Sequence, residues 1–167
     1  GKETVAAIPM GEVARYIMKN WKTFFCHHMG FAILSFSSYG VGAWGAAFMM
    51  RIHGWSIGQT GFYFMLHVIG AGCLGIISGG ILNDWLAKKG HIDAPMIIGL
   101  MASLFWLPTG ILYPLVPNGW VAWGCMIPTY FFTAFAIGVG RAGIQQIVPN
   151  AMRGQASALY LFVVNII

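Results

Sequence analysis

The stretch from Thr60 to Leu82 reads TGFYFMLHVIGAGCLGIISGGIL. It contains no Asp, Glu, Lys or Arg, and its apolar residues run on without polar alternation. A bilayer core takes about 20 mostly apolar residues in a helix, and this run meets that length. Only helices and closed barrels satisfy their backbone polar groups in lipid. A barrel strand would alternate apolar with polar, so the stretch reads as a membrane-spanning helix.

Three further runs meet the same length: roughly 23–50, 94–116 and 120–147. A fifth occupies about 153–167 and breaks off inside an apolar sequence. The composition agrees, with 58% hydrophobic and 8% charged residues. A soluble domain carries about 25% charged residues to solvate its surface. The expected fold is therefore all-α and polytopic. The chain begins with Gly1 and ends in Asn165-Ile166-Ile167, so both ends are expected to be cuts in a longer protein.

The connectors carry turn chemistry: Arg51-Ile52-His53-Gly54, Lys88-Lys89-Gly90, Pro117-Asn118-Gly119 and Pro149-Asn150. Ahead of the first span, Met10, Val13, Ile17 and Trp21 recur at helical spacing, with Glu12, Arg15, Lys19 and Lys22 between them. Residues 1–22 therefore read as a polar segment holding an amphipathic helix that lies along the membrane surface. Residues 23–167 form the bundle.

If the spans alternate, Lys2, Arg15, Lys19, Lys22, Lys88, Lys89, Arg141 and Arg153 fall on one side and Arg51 on the other. The positive-inside rule makes the basic side cytoplasmic, which places the N-terminus there and the protein in the inner or plasma membrane of a cell. The net charge of +5 then reflects topology and anionic lipid headgroups. No basic and aromatic nucleic-acid surface lies outside the spans.

Chemistry is sought among polar residues within the spans, which are expensive there and default site candidates. Ser38 and Tyr39, with Ser35 and Ser37 nearby, put hydroxyls in the middle of the first span. They can bond a substrate or their own helix. His67 either bonds a neighbouring backbone or handles substrate or protons. Arg141 lies eight residues before Pro149, about 12 Å along a helix, so it lines a vestibule or meets an acid from elsewhere. Gln145 flanks the same end, and Asn165 can face a central cavity. His27 and His28 are expected in a solvated or headgroup position. Cys26, Cys73 and Cys125 have no metal-ligand spacing and read as apolar filler. No metal or cofactor is implied.

At the end of the second span, Gly79-Gly80-Ile81-Leu82-Asn83-Asp84-Trp85-Leu86-Ala87-Lys88-Lys89-Gly90 reads as a charge-paired latch. An Asp near a helix C-terminus is unfavourable against the helix dipole unless a cation or another helix start meets it. This segment resembles the signature G-x-L-x-D-R-x-G-R-R of the major facilitator superfamily. Gly80, Leu82, Asp84, Lys88 and Lys89 match, while Trp85 stands for the usual Arg and Ala87 for the usual Gly. Residues 146–156, with Val148-Pro149 and Arg153-Gly154, are similar to that family's V-P-x-x-x-R-G-x-A turn between helices ten and eleven. The resemblance implies a partial major-facilitator fold, helices seven to ten and the start of eleven, lacking the N-terminal six-helix half. Gly80, Leu82, Asp84, Lys88, Lys89 and Arg153 would form the cytoplasmic gate.

A narrower resemblance is to the spinster-like branch. Tyr39-Gly40, Trp44, Phe48, Arg51 and Gly54-Trp55 are similar to its Y-G…W-x-P-x-F-x-x-R-x-x-G-W, with Ala46 where Pro is usual. Asp93-Ala94 and residues 153–159 are similar as well. The resemblance implies a secondary active transporter working by alternating access on a small organic or lipid-like solute. Two other classes compete with this one. A non-transporting scaffold or receptor subunit would have no need of the Asp84 pattern. An intramembrane serine hydrolase would pair a serine of residues 35–38 with His67, yet no nucleophile-turn sequence is present.

Overall fold

The computed structural model describes residues 8–166. Lys2 and the rest of the first seven positions, with Ile167, lie outside the described residues, and so do the expectations placed on them. The described chain forms α1 (Met10–Lys19), α2 (Trp21–His53), α3 (Ile57–Leu66), α4 (Cys73–Lys88), α5 (Ala94–Leu112), α6 (Gly119–Ile147) and α7 (Arg153–Ile166). A π-helical segment, His67–Gly72, joins α3 to α4 without a break, and a short 3₁₀ turn, Asn150–Met152, leads into α7. Among the described residues there is no strand.

Local sequence sets the ends. Gly54 takes a left-handed conformation (φ 67°) that closes α2, as glycine does at no steric cost. Ser56 accepts a hydrogen bond from the Gln59 amide and starts α3. Asn118 accepts from the amides of Trp120 and Val121 and starts α6. Each such cap contributes about 1 kcal/mol to its helix. Helix α5 ends at Leu112, short of the expected Val116: Tyr113 is still helical and donates to the Thr109 carbonyl, but Pro114 has no N–H to carry the ladder further.

Four helices are long and apolar enough to cross a membrane: α2, the continuous Ile57–Lys88 helix, α5 and α6. The second runs through Asn83–Lys88, a stretch read from sequence as lying beyond the span. Nothing in it breaks a helix until Gly90 turns the chain at φ 92°, so Asp84 sits near the C-terminus of this helix. The outer faces are apolar. Ile33, Leu100 and Leu104 are each 61% exposed, a coat that fits lipid and not water.

Helix α6 runs through the centre and packs on α2, α4, α5 and α7. Its contact with α4 depends on two glycines. A Cβ at Gly75 would fall on the Phe131 carbonyl, and one at Gly79 on the Phe135 carbonyl. The four-residue step on one helix thus matches the four-residue step on the other, and the backbones meet directly.

Chain direction gathers the basic residues at one end. There α1 docks through the Tyr16 hydroxyl, which donates to the Ile147 carbonyl at 2.7 Å, and through Gln155, whose Nε2 donates to the Ile8 carbonyl at 2.9 Å. Arg15, Lys19, Lys22, Lys88, Lys89 and Arg153 lie at this end, which also holds the larger buried cluster, with Phe24, Ile98, Ile144 and Tyr160. The opposite end is aromatic. Trp55, Tyr63 and Trp120 pack on one another above the smaller cluster of Met49, Ala122 and Met126.

Candidate functional site

Helices α2, α6 and α7 line a partly open cavity of about 460 Å³. Chain direction orders its walls. Phe31, Tyr160 and Arg141 lie toward the basic end, and Ser38, Tyr39, Thr133 and Asn165 lie toward the middle of the bundle. Eight residues separate each of the pairs Phe31–Tyr39 and Thr133–Arg141, so the cavity extends for about 12 Å. Between the poles the lining is mainly apolar, with Leu34, Ile137 and Leu161 beside Ser35. A second cavity of about 310 Å³ shares Ser38, Thr133 and Ile137 with the first and reaches Val68 and Gly72 of the π-helical segment.

The two poles are built differently. At the inner pole, the Tyr39 hydroxyl donates to Oδ1 of Asn165 at 2.7 Å, joining α2 to α7. Asn165 in turn donates through Nδ2 to the Leu161 carbonyl of its own helix. Ser37 spends its hydroxyl on the Ile33 carbonyl, and Thr133 donates to the Thr129 carbonyl. Ser35 and Ser38 line the cavity, and their hydroxyls make no hydrogen bond among the described residues. At the outer pole, the exposed Arg141 has no carboxylate within 4 Å among the described residues.

Glycines on either side of Arg141 set the fit around it. A Cβ at Gly140 would land on the Tyr160 hydroxyl and 2.7 Å from Phe31. A Cβ at Gly143 would come within 3.0 Å of both His27 Nε2 and Pro95. The backbone of α6 is therefore bare where α2, α5 and α7 press closest.

Four of the residues selected from sequence come together in this cavity: Ser38, Tyr39, Arg141 and Asn165. Two do not. Gln145 is half-buried beside α7, its Nε2 donating to Ser157 Oγ at 3.3 Å. His67 lines neither cavity. Its ring lies between Tyr130 and Trp123, with centroids at 5.0 and 5.1 Å, and Nε2 is 3.2 Å from the Trp123 carbonyl.

Sequence reading missed Thr133 and Tyr160 as lining, since one looks like an ordinary helical threonine and the other like an interface anchor. It also misplaced His27 and His28, which are 4% and 6% exposed. They pack against Phe24, Phe31 and Tyr160 instead of facing solvent or headgroups. Both nitrogens of His27 and Nδ1 of His28 are buried without a partner among the described residues.

The latch segment is not charge-paired. Among the described residues, neither Lys88 nor Lys89 comes within 4 Å of Asp84. Lys89 instead sits 3.7 Å above the Trp85 ring, and Asp84 has only the Asn83 amide, at 3.5 Å. The physical reason is Trp85, whose ring face attracts the neighbouring ammonium. Gly80 faces open space, Leu82 is half-buried, and Arg153 is exposed at the first turn of α7.

Comparison with known proteins is consistent with this architecture. No family model matches the chain, and no solved structure matches it. Over 139 residues it is 30% identical to a protein of Mycolicibacterium smegmatis named an MFS-type efflux pump, a match covering 80% of this chain and 31% of that relative. The chain thus spans about a third of the length of the curated relative it matches. With its four apolar helices, the chain is part of an integral membrane protein and is similar to one stretch of a major-facilitator-type transporter.

Proposed function

We propose that the chain forms part of a secondary active transporter that moves a small organic or amphiphilic solute by alternating access. The observation that carries this reading is the cavity between α2, α6 and α7, where an apolar wall joins an unpaired guanidinium to free hydroxyls. Cavities of about 300–1,000 Å³ with few polar groups on an apolar wall are typical of small-molecule sites. The similarity to a named efflux pump supports the same class.

In this reading the basic end is cytoplasmic, by the excess of Lys and Arg there, and a six-helix half outside this chain supplies the facing wall of the cavity. The two halves rock about the solute near the midplane. Gly80, Leu82, Asp84, Lys88, Lys89 and Arg153 form a gate against that other half. Asp84 lacks a cation within the described residues and Gly80 faces open space, so both are available for a contact across the interface. The spinster-like motif residues favour a lipid-like solute. An intramembrane hydrolase gains no support, because no histidine lines the cavity that holds Ser35 and Ser38.

The test is solute flux by the full-length protein in proteoliposomes, with Asp84→Asn beside the wild type. Flux in the wild type that falls severalfold in Asp84→Asn supports the reading. Absence of flux for anionic, neutral and cationic organic solutes alike counts against it.

A further inference from the structure

The outer pole of the cavity holds a cation without an anion. Arg141 lines the cavity and has no carboxylate within 4 Å among the described residues. It lies six residues before the end of α6 at Ile147, about 9 Å along the helix. The described acids, Glu12, Asp84 and Asp93, lie outside the cavity wall, in α1 or around the α4–α5 turn. Charged residues at membrane depth are paired or line a pathway. Arg141 is unpaired and lines a cavity.

The rest of the wall fixes the shape of what would pair with it. Inward from Arg141 the lining of this cavity, about 12 Å long, is mainly the apolar Leu34, Ile137 and Leu161, with the Ser35 hydroxyl the one polar group at their level. The inner pole then presents the Ser38 hydroxyl and the Tyr39–Asn165 pair. A cationic solute would meet an unopposed positive charge in this cavity. A neutral one would leave that charge unpaired.

We infer that the cavity binds an organic anion with an apolar body, Arg141 taking the anionic group as a charge-assisted, forked hydrogen bond. This inference rests on the transporter reading and deepens it by giving the solute its charge. Guanidinium is suited to the task, since it matches carboxylate, phosphate or sulfonate oxygens two at a time and keeps its charge at every accessible pH.

Two probes that share one apolar body and differ by a sulfonate group test it: 1-anilinonaphthalene-8-sulfonate and its uncharged parent N-phenyl-1-naphthylamine. Binding is measured on the full-length protein in nanodiscs, with empty nanodiscs subtracted, for wild type, Arg141→Gln and Arg141→Lys. The wild type is expected to bind the sulfonate about tenfold to a hundredfold more tightly than the parent, the range for a hydrogen bond to a charged group. Arg141→Gln removes that preference while still binding the parent, and a size-exclusion profile matching the wild type shows that the variant is folded. Arg141→Lys retains part of the preference. Equal binding of the two probes by the wild type, or binding of neither, overturns the inference, and so does a loss of both probes in Arg141→Gln. The last result assigns Arg141 to a structural ion pair with the facing half. Flux of the parent in proteoliposomes separates the two levels. If the parent moves and the sulfonate has no advantage, the transporter reading stands and the anion assignment falls. If neither moves, the transporter reading itself fails, and the anion assignment that rests on it falls too.

Discussion

The Tyr39 hydroxyl donates to Oδ1 of Asn165 at 2.7 Å across 126 residues of sequence, and this bond holds α2 against α7 at the inner pole of the cavity. Both side chains are open to the cavity, so the bond is one a solute can compete for. Tyr39→Phe and Asn165→Ala should each destabilise the full-length protein by about 1 kcal/mol, the usual net worth of such a bond. A double-mutant cycle read by thermal unfolding in detergent should show the two losses to be less than additive. Strict additivity would mean the bond does not form.

The two glycines of α4 make a sharper prediction. Gly75 and Gly79 each meet a carbonyl of α6, so even a methyl group has no room there, whereas Gly80 faces open space. Gly75→Ala and Gly79→Ala should cost about 1–3 kcal/mol each, the range for overpacking. Gly80→Ala should leave stability unchanged and serves as the control. Expression level and midpoint of chemical unfolding check the ranking.

His67 lies flat between Trp123 and Tyr130 and reaches the Trp123 carbonyl. His67→Phe keeps the stack and loses the bond, at about 1 kcal/mol. His67→Ala loses both and leaves a hole, so its cost should be about 3 kcal/mol or more. The gap between the two variants in unfolding midpoint measures the stacking.

His27 and His28 answer to a different balance. Three of their ring nitrogens are buried without partners among the described residues, and replacing a buried unsatisfied polar group by an apolar one of similar shape is nearly neutral or stabilising. His27→Phe should therefore leave stability within about 1 kcal/mol of wild type by that rule. His27→Lys should prevent assembly, because it puts a charge among Phe31, Tyr160 and Pro95. Size-exclusion profiles of the purified variants distinguish the outcomes.

These results mark what the sequence carried. The four long apolar helices were legible because an apolar run of that length, with at most one charge in it, has one stable form in lipid. Ser38, Tyr39, Arg141 and Asn165 were legible as a group because each is a polar residue within an apolar span, and such residues turn away from lipid. The π-helical segment was not legible. It changes hydrogen-bond register without changing residue type, and Gly70 and Gly72 are equally at home in an α-helix. The burial of His27 and His28 depends on Tyr160 of α7, more than 130 residues away, and on the bare backbone at Gly140 and Gly143. Not legible either was the place of Lys89, which lies over the Trp85 ring, so that among the described residues Asp84 meets no lysine.

If solute passes through the cavity between α2, α6 and α7, filling that space blocks it. Ser38 lines both adjoining cavities, so Ser38→Trp puts an indole where the solute would sit. Flux of an organic solute by the full-length protein in proteoliposomes, wild type against Ser38→Trp, is the measurement. The account predicts transport by the wild type and near-complete loss in the filled variant, with its unfolding midpoint preserved. A folded Ser38→Trp protein that transports at the wild-type rate would contradict it.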